Sequence, residues 1–228
     1  MKKVLIVLVL GLVGWLLLFN LPWIERFVYY FKSIPEGRVW NAELEKQTNL
    51  YSKSPSVVFL GDSHIGQCEW GEIFPELKVL NRGIPGESTG LTLKRIDKIL
   101  PDSSLVFLQI GINDILSGVS ENQILKNYMD LIDFMEGRHC QVIPTLIFPT
   151  RFIPEKNKLV LQVNTRLKTE FEKRNLRFID LTQSISKNGI LNREVSWDGV
   201  HLNSTGYTLW INEINKSLNQ TAWADDFR

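Results

Sequence analysis

The sequence predicts an α/β fold in which a parallel sheet is covered by helices on both faces. Three observations carry that prediction. From Ser56 onward, short runs of Val, Ile, Leu and Phe alternate with helix-length amphipathic stretches. The short runs show little polar alternation, as expected of strands buried on both faces. The resulting order, βαβαβαβα, suits parallel strands joined by crossover helices, which cover the sheet on its two sides.

Taken in order, the strand candidates are Ser56–Leu60, Lys78–Asn81, Leu105–Ile110, Gln141–Leu146 and Arg177–Leu181. The helix candidates between and after them are Leu91–Leu100, Asn122–Gly137, Lys158–Asn175 and Ser204–Leu218. Leu159, Val163, Leu167 and Phe171 recur at intervals of four and mark the third helix as amphipathic. Ser204 stands where an N-cap for the last helix is expected. In a sheet of this kind ligands bind outside the carboxyl ends of the strands, so the polar residues just after each strand are the candidates for function.

Composition bounds what those residues can serve. The chain has 228 residues, 44% apolar and 22% charged, which is a globular composition and excludes a disordered or collagenous chain. Two cysteines exclude a disulfide scaffold and a multi-cysteine zinc site. Cys68 and Cys140 are read as isolated thiols, with a disulfide as the alternative. Three histidines without an H-x-H or HExxH spacing give no zinc motif, so no metal is expected. The 26 basic and 25 acidic residues are near balance, and no nucleic-acid partner is expected without a basic face.

The front of the chain differs from the rest. Val4 to Phe19 carries no charged or polar side chain, and the uncharged stretch runs on through Ile24, long enough to span a bilayer as a helix. Lys2 and Lys3 precede it, which places the N-terminus in the cytoplasm and the remainder outside. A cleaved signal peptide is the alternative, although no small-residue cleavage site follows the apolar run. The expected organisation is a membrane anchor at 1–24, a stem at 25–54, a folded domain at 55–220 and a polar tail at 221–228.

Four clusters follow the strands or precede the last helix. They are Gly61-Asp62-Ser63-His64, Asn81-Arg82-Gly83-Ile84-Pro85-Gly86, Gly111-Ile112-Asn113-Asp114 and Asp198-Gly199-Val200-His201. Each alone reads as a turn or a cap. Together they supply a hydroxyl, an imidazole with a carboxylate three residues away, and amide donors, the parts that acyl-transfer chemistry needs. His64, beside Ser63, is read as a rim residue because neighbouring side chains at a helix start diverge. Asp114 is read as a cap or supporting acceptor.

These four blocks resemble those of the SGNH (GDSL-type) hydrolase family, over roughly residues 55–218. The resemblance implies a flavodoxin-like, three-layer α/β/α sandwich with a five-stranded parallel sheet. It also implies catalytic roles for Ser63 as nucleophile, His201 as base and Asp198 as its partner, with an oxyanion hole from Ser63, Gly86 and Asn113. No cofactor is implied. The first block departs from the family name in carrying histidine where leucine is expected after the serine. Arg151 and Phe152, in the loop after the fourth strand, and Trp197, beside Asp198, are the candidate substrate-binding residues. The expected substrate is a small-molecule, lipid or polysaccharide ester. A lysophospholipase, thioesterase or acyltransferase on the same site, or a catalytically silent glycan-binding module, are the alternatives.

Overall fold

A computed structural model of the chain describes residues 56–220; the expected membrane anchor at 1–24, the stem at 25–54 and the tail at 221–228 lie outside them. Among the described residues no helix is long and apolar enough to cross a membrane.

The sheet is built from β1 (Val57–Gly61), β2 (Val79–Gly83), β3 (Leu105–Gln109) and β4 (Gln141–Pro144), in the order β2-β1-β3-β4 and parallel throughout. Alternate side chains of each strand enter two separate cores. Val58, Leu60, Val106, Leu108 and Val142 face one way, towards α3 (Thr89–Ile99), α5 (Glu121–Gly137) and α6 (Asn157–Lys173). Val57, Phe59, Leu105, Phe107 and Ile143 face the other, towards α2 (Trp70–Ile73), α7 (Thr182–Ile185) and α8 (Ser204–Asn219). Trp70 belongs to this second core and stacks flat on Phe59 with centroids 4.2 Å apart. Val163, Leu167 and Phe171 of the predicted stripe are buried, and Leu159 packs beside them.

The sheet has four strands where five were expected. The segment Arg177–Leu181 contributes one parallel bridge, Thr145 to Ile179, made by Ile179 N–H to the Pro144 carbonyl (2.8 Å) and Leu146 N–H to the Ile179 carbonyl (2.9 Å). In a parallel ladder the preceding rung would need an N–H at position 144, and proline has none. The following rung is lost because Leu181 already has helical backbone angles at the start of α7. The fifth position is therefore occupied, but the ladder cannot propagate in either direction.

The last helix is capped by Asn203 rather than Ser204. The Asn203 side-chain oxygen accepts from Gly206 N–H (3.1 Å) while its amide nitrogen donates to the Glu194 carbonyl (2.9 Å), a double role that a hydroxyl at 204 does not fill. A short antiparallel hairpin, β5 (Ser186–Lys187) and β6 (Ile190–Leu191), was not anticipated. Cys68 and Cys140 are buried free thiols.

One close approach sets the position of the site. The end of β2 lies against α1 (Ser63–Gly66), so that a Cβ added to Gly83 would fall 2.2 Å from Gly66 N and 2.7 Å from the Ile65 carbonyl carbon. Both obstacles are backbone and cannot turn aside. Gly83→Ala should cost about 1–3 kcal/mol through the forced separation of β2 from α1. Urea unfolding measures it, and an unchanged midpoint would show that the approach is not required.

Candidate active site

The strand order reverses between β1 and β3, and ligands of open α/β sheets bind in the crevice at such a reversal. β1 runs through Gly61 into Asp62, whose carboxylate accepts from His64 N–H (3.0 Å) and caps α1. That cap places Ser63 at the first position of the helix, just outside the carboxyl end of the sheet.

His201 reaches Ser63 from 138 residues further along the chain. Its Nε2 lies 2.9 Å from Ser63 Oγ, and its Nδ1 lies 2.6 Å from Asp198 Oδ2. The other oxygen of Asp198 accepts from Val200 N–H and His201 N–H, each at 2.8 Å. Burial opposes charge on Asp198, but these hydrogen bonds, with the His201 ring first, hold its carboxyl below the usual carboxylate range. Ser63 and His201 are each 6% exposed, so the pair is shielded yet reachable.

The loop after β2 comes to the same place through Ile84 N–H, which donates to the Gly61 carbonyl (2.9 Å). Ile84-Pro85-Gly86-Glu87 then forms a turn closed by Glu87 N–H to the Ile84 carbonyl (3.1 Å), with Gly86 at φ +79°. Proline at the second position and a positive-φ glycine at the third is a type II pattern, which leaves Gly86 N–H outside the turn's own hydrogen bond. Asn113 lies in α4 (Ile112–Ser117), at the end of β3, and its Nδ2 donates to the Glu87 carbonyl (2.9 Å). One amide hydrogen of Asn113 thus holds the Gly86 turn and the second remains for a ligand. Among the described residues neither Ser63 N–H nor Gly86 N–H donates to a protein acceptor.

Behind this face lie two buried polar clusters, of which sequence reasoning missed the Glu87–Arg95 pair and named only Asp114 in the other. Arg95 of α3 holds Glu87 through two hydrogen bonds, one from Nε at 2.5 Å, and also donates to the Arg82 carbonyl at 2.8 Å. Asp114 accepts from Thr89 N–H (2.9 Å) and Thr89 Oγ1 (2.6 Å), the supporting role expected of it, here across two elements. Burial pushes the Asp114 carboxyl up against the pull of those bonds. The eight-residue gap between Glu87 and Arg95 crosses a turn and a helix cap, so no helical or strand period marks the pair.

The candidate substrate residues are close by. Arg151 and Phe152 N–H both donate to the Gly199 carbonyl (2.7 and 3.2 Å), which docks their loop on the segment carrying Asp198 and His201. Trp197 is 64% exposed and stacks on the His201 ring at 5.7 Å. A cavity of about 880 Å³ lies elsewhere, between α6 and the β5–β6 hairpin, and none of Ser63, Asp198 or His201 lines it. His64 corrects the sequence reading. It is fully buried rather than on the rim, because Asp62 and the Val200 carbonyl give both its ring nitrogens partners.

A serine, a histidine and a carboxylate thus lie in one hydrogen-bonded chain at the edge of a parallel sheet, the set of groups that acyl-transfer chemistry uses. Comparison with known proteins gives the family. Residues 58–209 match the model of the GDSL-like Lipase/Acylhydrolase family, and the chain belongs to that family. It is 26% identical over 183 residues to the N-acylneuraminate cytidylyltransferase of Streptococcus agalactiae serotype V, covering 75% of this chain and 42% of that protein. The chain thus spans less than half the length of that streptococcal relative. It is also 29% identical over 173 residues to the platelet-activating factor acetylhydrolase IB subunit alpha1 of Homo sapiens, covering 68% of this chain and 72% of that one. A GDSL-like lipase from Bacteroides thetaiotaomicron shares the fold, with a TM-score of 0.68, 20% identity, and coverage of 77% of this chain and 95% of its own.

The Glu87–Arg95 pair gives a test of how the Gly86 turn is held. Arg95→Met should destabilise the protein by about 3–5 kcal/mol, because it strands a carboxylate in the interior. Burial already pushes the Glu87 carboxyl up, with Arg95 opposing. The loss should therefore shrink as the pH falls and Glu87 takes up a proton. Denaturant midpoints across pH measure both, and a pH-independent loss would exclude an ion pair as the cause.

Proposed function

We propose that the protein is a serine ester hydrolase working through an acyl-enzyme. The observation that carries this reading is the continuous hydrogen-bonded chain Ser63–His201–Asp198. Ser63 Oγ attacks the ester carbonyl as His201 Nε2 takes its proton, and Asp198 holds the other ring nitrogen in its protonated form. Negative charge developing on the carbonyl oxygen is met by Ser63 N–H, Gly86 N–H and the free Asn113 amide hydrogen, each worth about 3–4 kcal/mol in such sites. The imidazolium then protonates the departing alcohol. Water, deprotonated by the same imidazole, releases the acid and restores Ser63. Every step uses groups of this chain and water, so no cofactor is called for.

For the acyl group we propose acetyl or another short chain, removed from a carbohydrate or lipid ester. The support is the likeness to a platelet-activating factor acetylhydrolase subunit. The exposed Trp197 face beside His201 is suited to packing against the alcohol portion of such an ester, and Arg151 and Phe152 border the same segment. Location outside the cytoplasm, with residues 4–24 as the anchor, is proposed on the uncharged run behind Lys2 and Lys3.

Ser63→Ala should lower kcat on p-nitrophenyl acetate by about 10⁴-fold or more with the thermal midpoint retained, and undiminished turnover would sink the reading. Across an ester series from acetate to octanoate, kcat/KM should fall with chain length. A rise towards octanoate would instead point to a lysophospholipase or thioesterase.

A further inference from the structure

His64 is buried beside the nucleophile, yet the chemistry proposed above gives it no task. Its Nε2 lies 3.0 Å from the Val200 carbonyl oxygen, which can only accept, so Nε2 carries a proton. Its Nδ1 lies 3.1 Å from Asp62 Oδ1, and that same oxygen accepts from His64 N–H. Both ring nitrogens therefore face acceptors, and the arrangement is satisfied when the ring is an imidazolium against the Asp62 carboxylate. Among the described residues the second oxygen of Asp62 is buried without a partner, so the His64 ring and the His64 N–H, both on Oδ1, are the groups that compensate this carboxylate.

The connection continues beyond Val200. The peptide between Val200 and His201 accepts from His64 through its carbonyl and donates to Asp198 Oδ1 through its N–H (2.8 Å). A chain thus runs from the Asp62 carboxylate through the His64 ring and the 200–201 peptide to the Asp198 carboxylate, alongside the Ser63–His201–Asp198 chain. Hydrogen bonds in series polarise one another, so the bond from His64 strengthens the one that peptide makes to Asp198. The two chains meet at Asp198, and at their other ends Asp62 adjoins Ser63 in sequence.

We infer that His64 is a positioning residue, a buried imidazolium strap that fixes the separation of Ser63 and His201 by tying the turn that carries the nucleophile to the backbone of the segment that carries the base. The inference rests on the hydrolase reading of the Ser63 site.

The groups that face His64 set its pH behaviour. Asp62 faces it from the turn after β1. The Val200 carbonyl, the Asp198 carboxylate and the His201 ring, at 5.6 Å, face it from the 198–201 segment. The Tyr207 hydroxyl of α8 donates to the His64 carbonyl (2.7 Å), and Phe148 packs edge-on against the ring at 5.2 Å. Burial pulls the His64 pKa down, but the Asp62 bond and charge, the Val200 carbonyl and Asp198 outweigh it and raise the pKa above the ordinary value. A raised folded pKa means that the doubly protonated ring is complete at low pH and persists to higher pH than in a free imidazole; as the pH climbs through that raised value the Nδ1 proton shared with Asp62 is lost, while Nε2–H can still hold Val200.

The test replaces the ring. His64→Leu removes both bonds and should lower kcat on p-nitrophenyl acetate about 10–100-fold with KM changed by less than about threefold, the size expected of a small misplacement of reacting groups. His64→Gln keeps an N–H donor for Val200 without a titrating ring. It should recover most of kcat and lack the alkaline fall in kcat expected of the wild type. Unchanged kcat in His64→Leu, or an alkaline limb that persists in His64→Gln, would overturn the inference. Nitrogen-15 NMR of the wild-type ring keeps the idea testable if the variants do not fold. Both His64 nitrogens should be protonated at neutral pH, and a bare Nδ1 would refute the strap. A wild type without esterase activity would instead refute the hydrolase reading and leave the NMR result standing by itself.

Discussion

The 2.9 Å contact between Ser63 Oγ and His201 Nε2 is the constraint on which the rest of this structure bears, because it joins residues 138 positions apart. Neither residue's local sequence can produce it. It requires β1 to deliver Ser63 and the start of α8 to deliver His201 at one edge of one sheet. Parallel strands meet that requirement, since each strand end opens at the same edge and each crossover helix is folded back out of the way.

Holding the contact takes more than the sheet. The Gly83–Gly66 approach presses β2 on α1, and Ile84 N–H pins the following loop to the Gly61 carbonyl. Asn113 ties the Gly86 turn to α4, while Arg95 and Asp114 hold Glu87 and Thr89 from behind. On the other flank, Gly199 receives Arg151 and Phe152, and the His64 strap reaches Val200. Polar groups buried this densely are costly unless hydrogen-bonded, and the bonds they make to one another offset much of that cost at this edge.

Much of this was legible in the sequence because the chemistry sits directly after strands. The apolar runs marked β1, β3 and β4, and the residues that follow β1 and β3 held Ser63 and Asn113. The Asp198–His201 spacing was readable because three residues is a short-range relation. What was hidden depends on partners that carry no sequence mark. The fifth strand fails on the missing N–H of Pro144, a fact that matters only once Ile179 is known to lie opposite. His64 looked peripheral because its second partner is a backbone carbonyl 136 residues away, and a carbonyl has the same chemistry at every position. The Glu87–Arg95 pair crosses a turn, so no period reveals it. Asp62-x-His64 does echo Asp198-x-x-His201, a carboxylate close before an imidazole, and that echo was the available clue.

The central claim is that Ser63 is a nucleophile activated by His201. Treatment with a fluorophosphonate probe, followed by intact-mass measurement and peptide mapping, tests it most directly. One adduct per chain, located on Ser63 and strongly suppressed in His201→Ala, is the predicted result. No adduct, an adduct on another serine, or labelling of Ser63 indifferent to the loss of His201 would contradict it.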